Sequence, residues 1–336
     1  MAPGPDEFIR VEKGKKRGQI QAGKRIVPAF PSIGRIYHLE AGLRTYGGVF
    51  HIEEKLDGFN ARYFRHQGQI HGLTRGGFLC PFLNDRTDLV DPRFFDHHPG
   101  WVLYGEIVGR ANPYLSECHL PVEDVEYFVF AVADERGRFL PPGERYSLLE
   151  GYRMRTVRHF GLFRPREIES LREIINELTR DEREGIVIKD ASGGRPSRKY
   201  VTPFSDLNDL RHLSALLGET SPGYFTERIQ RLLAHCWEFG NTSHLDHLGD
   251  AFRPALEGFG TIQRGGKVSE RYAMNVHRRE TAEAFRHFID RSQQIEIHPV
   301  SLETRDNGFW HFVFERHYPK ATGRLRRMVG GRLFYD

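Results

Sequence analysis

The alternation of apolar and polar positions becomes regular from Val49 onward and predicts strands there. Arg62-Tyr63-Phe64 and Gln69-Ile70-His71 flank His66-Gln67-Gly68, which predicts a hairpin. Trp101 to Tyr104 and Tyr127 to Val132 are continuous apolar runs bounded by Gly, Pro or charge, the pattern of buried strands. Pro165 opens an amphipathic helix that puts Ile168, Leu171, Ile174, Ile175 and Leu178 on one face. Ile186 to Ile188 then reads as a short buried strand. Residues 49–205 are therefore expected to form a mixed sheet with peripheral helices.

After Pro203 the period changes to that of helices. Leu207, Leu210, Leu213, Leu216 and Leu217 predict one, and Phe225, Ile229, Leu232, Leu233 and Cys236 a second; a third is expected over Ser269 to Arg291. Such a helical unit must bury several faces, which makes it a candidate for self-association. Strands return in Val300-Ser301-Leu302 and Phe309 to Phe314, joined by Asp306-Asn307-Gly308, a favourable hairpin turn. Ahead of all this, residues 1–28 are polar and basic (Lys13, Lys15, Lys16, Arg17) without clear period. They read as a solvated arm, or as an arm that touches nucleic acid. The expected division is 1–48, 49–205, 206–290 and 291–336, with an α+β fold overall.

Composition narrows the class without naming a chemistry. The 336 residues are 39% hydrophobic and 28% charged, as in an ordinary globular protein. No apolar run approaches the roughly 18 residues of a membrane span. The first residues lack a signal-peptide core, and Cys80, Cys118 and Cys236 stand far apart, so a cytoplasmic protein without disulfides or zinc knuckles is expected. A net charge of +4 permits a polyanionic partner. The 17 histidines include no His-Glu-x-x-His, and pairs such as His97-His98 lack further ligands, so they read as structural or surface residues.

Chemistry enters with an ordered set of segments. Glu53-Glu54-Lys55-Leu56-Asp57-Gly58-Phe59-Asn60 comes first, followed by Leu103 to Gly109, Tyr127 to Phe130, Glu184 to Lys189, and Arg198-Lys199-Tyr200. A nucleophilic lysine must be neutral, so the site is expected to lower Lys55 from its usual value of about 10.4 by desolvation and nearby positive charge. Lys189, Lys199, Arg62 or a bound Mg²⁺ could supply that charge and hold a phosphate. Asp57 and Gly58 suit a turn that sets the lysine. Glu106, between apolar neighbours, needs a partner: a ribose hydroxyl, a metal-bound water or a basic side chain. Phe128 could stack on a purine or sit in the core. Glu184 and Lys189 are an odd number of positions apart, so both reach one site only if the backbone turns at Gly185.

These residues resemble the covalent nucleotidyltransferase superfamily of ATP-dependent DNA ligases, RNA ligases and GTP-dependent capping enzymes. Within it, Thr74 to Pro81, Gly105 to Gly109 with Asn112-Pro113-Tyr114, and Glu184 to Lys189 are similar to the archaeal-type homodimeric ATP-dependent RNA ligases. Pro31 to Ile36 is also similar, and Gly330 to Leu333 more loosely. The resemblance implies an ATP-grasp-like adenylation domain of mixed and antiparallel sheets, then a helical dimerisation domain and a small C-terminal domain with strands. It implies that Lys55 becomes a lysyl-AMP, and that AMP passes to an RNA 5′-phosphate which a 3′-hydroxyl then attacks. Among site residues it implies Glu54 near the adenine, Phe128 stacked on it, and Asn60 as a further nucleotide contact. Glu106 would bind ribose or a hydrated metal, with Glu184 positioning Mg²⁺, for which Mn²⁺ could substitute. Lys189 and Lys199 would hold the α-phosphate, and Arg62 and Arg75 would touch the nucleotide or the RNA 5′-phosphate. The stretch before Lys55 is shorter than usual for the family, and either Arg198 or Lys199 could take the phosphate. The alternatives are a DNA ligase or guanylyltransferase of the same superfamily, or a non-catalytic protein that binds RNA ends.

Overall fold

The computed structural model describes residues 8–14, 17–216, 219–293 and 295–333. The chain opens with β1 (Phe8–Arg10), β2 (Ile20–Ala22) and β3 (Arg25–Val27), an antiparallel three-stranded sheet. This segment was expected to be an arm. Instead Ile20, Ala22 and Val27 are buried against Phe64, Leu73, Val102 and Tyr104, and that burial orders so short a sheet. Lys15 and Lys16 lie outside the described residues.

Next come β4 (Gly34–Arg35), α1 (Leu39–Arg44) and the central strands β5 (Phe50–Lys55), β6 (Phe59–His66) and β7 (Gln69–Thr74). The β6–β7 hairpin closes on Gln67 and Gly68, both at positive φ, as a tight two-residue turn requires. The short helices α2 (Pro81–Asp85) and α3 (Pro92–His97) lead to β8 (Val102–Val108) and β9 (Glu126–Ala133). Then follow α4 (Pro142–Leu149), β10 (Arg155–Thr156), β11 (His159–Phe163), α5 (Ile168–Arg180), β12 (Gly185–Asp190) and β13 (Arg198–Val201). The helix expected from Pro165 begins at Ile168, after a turn in which Glu167 N–H donates to the Arg164 carbonyl.

Two five-stranded sheets result, in the orders β10-β9-β8-β6-β7 and β11-β5-β12-β13-β4. One face of the second sheet packs on α5, where Phe50, Ile52, Ile186 and Ile188 meet Leu171, Ile175 and Leu178. Its other face looks toward the first sheet across the cavity described below.

The remainder comprises α6 (Pro203–Ala215), α7 (Pro222–Phe239), α8 (Ser243–Asp246), α9 (Arg253–Gln263), β14 (Ser269–Val276), α10 (Arg279–Gln293), β15 (Ile297–Thr304), β16 (Trp310–His317) and α11 (Pro319–Val329). The helices expected near 207–217 and 225–236 are α6 and α7, although Leu217 falls outside the described residues. The single helix expected over 269–291 is corrected. Tyr272, Met274 and Val276 alternate as a strand, and only then do Ala282, Phe285 and Ile289 take up the helical period. Strand β14 pairs with β16 in a sheet ordered β14-β16-β15, so the sheet crosses the boundary drawn at residue 290. Among the described residues no helix is long and apolar enough to cross a membrane.

Candidate active site

A cavity of about 370 Å³ opens between the two five-stranded sheets. On β5 the alternation that buries Phe50 and Ile52 against α5 turns Glu53 and Lys55 the other way, toward the cavity. Lys55 is the last residue of β5, and Gly58 then lets the chain cross to β6. A Cβ there would stand 2.5 Å from the Ile107 carbonyl and 2.7 Å from Glu106 Cγ, so no larger residue fits.

Lys55 Nζ lies 2.5 Å from Glu184 Oε2. Burial pushes the amine down, but Glu184 and then Glu106 outweigh it, so the net direction is upward. This reverses the expectation of a lysine lowered by neighbouring cations: with Glu184, Glu106 and Asp57 around it, Lys55 is held as an ammonium. The carboxylates bear the cost of that burial. Glu106 is pushed up to about 8 and Glu184 to about 7, in both cases chiefly by burial.

Glu184 reaches Lys55 because Gly185 adopts φ +149°, where a Cβ would stand 2.1 Å from the Tyr200 carbonyl. Val187 and Lys189 then line the cavity while Ile186 and Ile188 enter the core. The turn required at Gly185 is present. Lys189 Nζ is 2.7 Å from Glu53 Oε2 and donates to the Phe130 carbonyl at 2.5 Å. On β13 Lys199 faces the cavity, and burial together with Lys55 and Arg35 lowers it to about 8. Arg198 turns away and donates to the Gly42 carbonyl and Thr45 Oγ1, which leaves Lys199 as the cation available to a phosphate.

From the first sheet, the β6–β8 register sets Asn60 opposite Glu106, and both line the cavity with Arg75. Asn60 Oδ1 is buried without a hydrogen-bond partner. Glu54 also borders the cavity, with Oε1 3.7 Å from Arg183. Two sequence-predicted residues are placed elsewhere. Arg62 is fully buried behind the cavity and donates to the carbonyls of Pro28, Gly18 and Thr74, so it clamps the N-terminal sheet rather than a ligand. Phe128 packs with Leu56, Val108 and Val157. The aromatic rings at the cavity are Phe130 and Phe30, with centroids 4.9 Å apart. Phe128 and Phe130 share a face of β9, so alternation could not separate them.

Glu53 and its partners, the buried Arg145 and the half-buried Tyr146, were not singled out from sequence. A second acidic residue directly before the nucleophile was the available signal for Glu53. Arg145, some 90 positions away, offered none.

The residues present fit a nucleotide with a divalent metal. Asn60 Oδ1 waits for a donor, and Glu106 and Glu184 are buried carboxylates raised by burial despite the neighbouring Lys55, which a metal ion would relieve. Among the described residues no group of three or more His, Cys, Asp or Glu is arranged to hold a metal by itself. A Mg²⁺-like ion would therefore take one or two carboxylates and complete its shell with phosphate and water.

A lysine at the end of a strand, flanked by Lys189 and Lys199 on the same sheet and opening on a cleft between two sheets, is the arrangement of a covalent nucleotidyltransferase. Residues 48–201 match the family model for RNA ligase, and residues 213–332 that for the C-terminal region of the ligase Pab1020. A structure from Aquifex aeolicus, provisionally described as an ATP-dependent DNA ligase, is 32% identical, with a TM-score of 0.91 over 96% of this chain and 92% of that one. A structure of an archaeal ATP-dependent RNA ligase is 27% identical, with a TM-score of 0.90 over 97% of this chain and 90% of that one. An uncharacterized protein of Methanocaldococcus jannaschii is 27% identical over 84% of this chain and 75% of its own length. The chain belongs to the archaeal-type ATP-dependent RNA ligases.

Proposed function

We propose that Lys55 carries the ligation of RNA ends through a lysyl-AMP. The observation that supports this most is the convergence of Lys55, Glu106, Lys189 and Lys199 on one cavity, with Glu184 paired to Lys55, from four separate stretches of chain. Lys55 Nζ attacks the α-phosphorus of ATP, the bond to the β-phosphate oxygen breaks, and pyrophosphate leaves. A 5′-phosphate oxygen of RNA then displaces the lysine and forms an RNA-adenylate. The 3′-hydroxyl of a second end attacks that 5′-phosphorus, releasing AMP and sealing the phosphodiester.

Each residue has a task in this scheme. Lys189 and Lys199 hold the α-phosphate and offset the charge that develops on it. Phe130 and Phe30 give the base an apolar wall, while Asn60 and Glu54 offer it or its ribose polar contacts. Arg75, which lines the cavity, meets the nucleotide or the RNA 5′-phosphate. Glu106 and Glu184 would hold Mg²⁺, or Mn²⁺ in its place, which would neutralise phosphate charge. Engaging Glu184 elsewhere would also weaken its hold on Lys55, which must lose a proton before it can attack.

The test is incubation with α-labelled ATP or GTP and Mg²⁺, wild type beside Lys55→Ala, followed by counting label on denatured protein. Label from ATP alone, lost in the mutant, is expected. No label on folded protein that is not already adenylated would sink the reading. The Aquifex aeolicus relative keeps a DNA substrate as the second reading. Equal sealing of matched DNA and RNA ends would favour it.

A homodimer and a cytoplasmic location are part of the same proposal. Leu233 and Trp237 on α7 and Leu256 on α9 are exposed apolar residues that a second copy could cover. The three free thiols suit a reducing compartment.

A further inference from the structure

Behind Lys189 lies a buried set of charges that the ligation scheme does not use. Glu53 is 1% exposed; its Oε1 accepts from Arg145 at 2.7 Å and from the Tyr146 hydroxyl at 2.9 Å. Its Oε2 takes Lys189 at 2.7 Å. Arg145 is itself 1% exposed and also donates to the Phe130 carbonyl, the oxygen that Lys189 shares. Lys189 thus spends two of its three N–H groups on Glu53 and Phe130, and one remains for a ligand. One negative and two positive charges leave a net positive charge at the cavity wall. We propose that Glu53, anchored by Arg145 and Tyr146, is a positioning residue that holds Lys189 in place as a cation facing the α-phosphate. This rests on the reading of Lys189 as a phosphate ligand.

The physics gives Glu53 and Arg145 opposite effects on Lys189. Burial and Arg145 favour the neutral amine, whereas Glu53 favours the ammonium, and the balance lies near 8. The other groups facing this set are His51 on β5, His159 on β11 and Tyr146 on α4. His51 Nδ1 and His159 Nε2 are 2.9 Å apart, and His159 stacks on Tyr146 at 4.6 Å. Burial lowers both imidazoles, so they stay neutral where Lys189 titrates.

The experiment is the rate of lysyl-AMP formation from ATP against pH, between about 6 and about 9.5, across the titration range of a lowered lysine. At the upper end Glu53→Gln is expected to be slower by about a hundredfold. Its alkaline limb should move to lower pH, because Lys189 loses its proton more readily. Arg145→Gln should move the limb the other way. Glu53→Asp keeps the charge but retracts it from Lys189, so its rate should fall and its limb should move part of the way toward that of Glu53→Gln. A merely structural role moves none of these limbs, and coincident limbs in folded variants overturn the proposal. Circular dichroism establishes folding first. Should Glu53→Gln or Arg145→Gln fail to fold, Glu53→Asp decides: a lower rate with the limb moved to lower pH supports the proposal, and a limb coincident with that of the wild type overturns it. Wild-type protein in the same assay separates the two claims. Its failure to label would remove the ligase reading, whereas wild-type label with coincident limbs removes only the role of Glu53.

Discussion

Phe128 and Phe130 stand two positions apart on one face of β9, yet only Phe130 borders the cavity. The difference between them is a sharp test of the nucleotide site. Stacking of an aromatic ring on a base is worth roughly 1–3 kcal/mol. Phe130→Ala should therefore raise the ATP concentration needed for half-maximal lysyl-AMP formation by about tenfold or more. Phe128→Ala removes a ring from the cluster of Leu56, Val108 and Val157 and should cost about 3 kcal/mol of stability, with ATP dependence little changed. ATP titrations and urea unfolding of both variants check this, and the opposite assignment would place the base over Phe128. Arg62 illustrates the same limit of sequence reading. It shares its face of β6 with Asn60, and only the N-terminal sheet folding over it gives it the carbonyls of Gly18 and Pro28 instead of a phosphate. That Lys55, Glu106, Glu184, Lys189 and Lys199 come together was legible because each sits in a short segment with its own local pattern. Which of two same-face neighbours enters the site depends on packing from residues far along the chain, which no local period encodes.

At the scale of elements, several central strands and the hairpins followed from periods of two and from turn residues such as Gln67-Gly68 and Asn307-Gly308, but not their division into two sheets. The strand β14 did not, because its period of two over Tyr272, Met274 and Val276 runs into the period of α10 with no Gly or Pro to mark the join. Helix α7 is fixed to β13 by another feature that its sequence does not announce. His235 Nδ1 and the Tyr200 hydroxyl share a hydrogen bond of 2.9 Å, and the His235 ring stacks on Phe239 at 4.1 Å. Burial, with His244 nearby, lowers His235 to about 3. An unfolded histidine titrates near 6.5, so the unfolded chain takes up a proton first as pH falls. The contribution of His235 is full above about 6.5 and is lost progressively toward 3. Between about pH 6 and 4 the wild type should lose stability more steeply than His235→Gln, by up to ~1.4 kcal/mol per pH unit. Urea midpoints across that range measure it, and parallel slopes would mean that the site is already protonated in the native state.

The whole molecule is tied together by a core that ignores the expected division into four parts. Phe82, Phe94, Leu103 and Val129 from the first half belong to one buried cluster with Tyr272, Met274, Phe285 and Phe314 from the second. Charged clamps reinforce the seam. Arg86, 2% exposed, joins Asp124 at 2.9 Å and the Asn275 carbonyl at 3.3 Å, and Asp85 accepts from Thr281 Oγ1 at 2.8 Å. The sheet bearing Asn60 and Glu106 is thus backed by C-terminal residues, although none of them lines the cavity. Met274→Ala, at a position with no exposure, should cost about 2–5 kcal/mol. Because the core is shared, hydrogen exchange should show β8 and β16 losing protection together rather than β16 alone. By the same reasoning a chain ended at residue 205 would leave Phe82 and Phe94 uncovered and Arg86 without its carbonyl partner, and should not hold a stable fold. Loss of protection confined to β14, β15 and β16, or a folded 1–205 fragment that still forms lysyl-AMP, would make the C-terminal region an independent unit and remove its structural claim on the site.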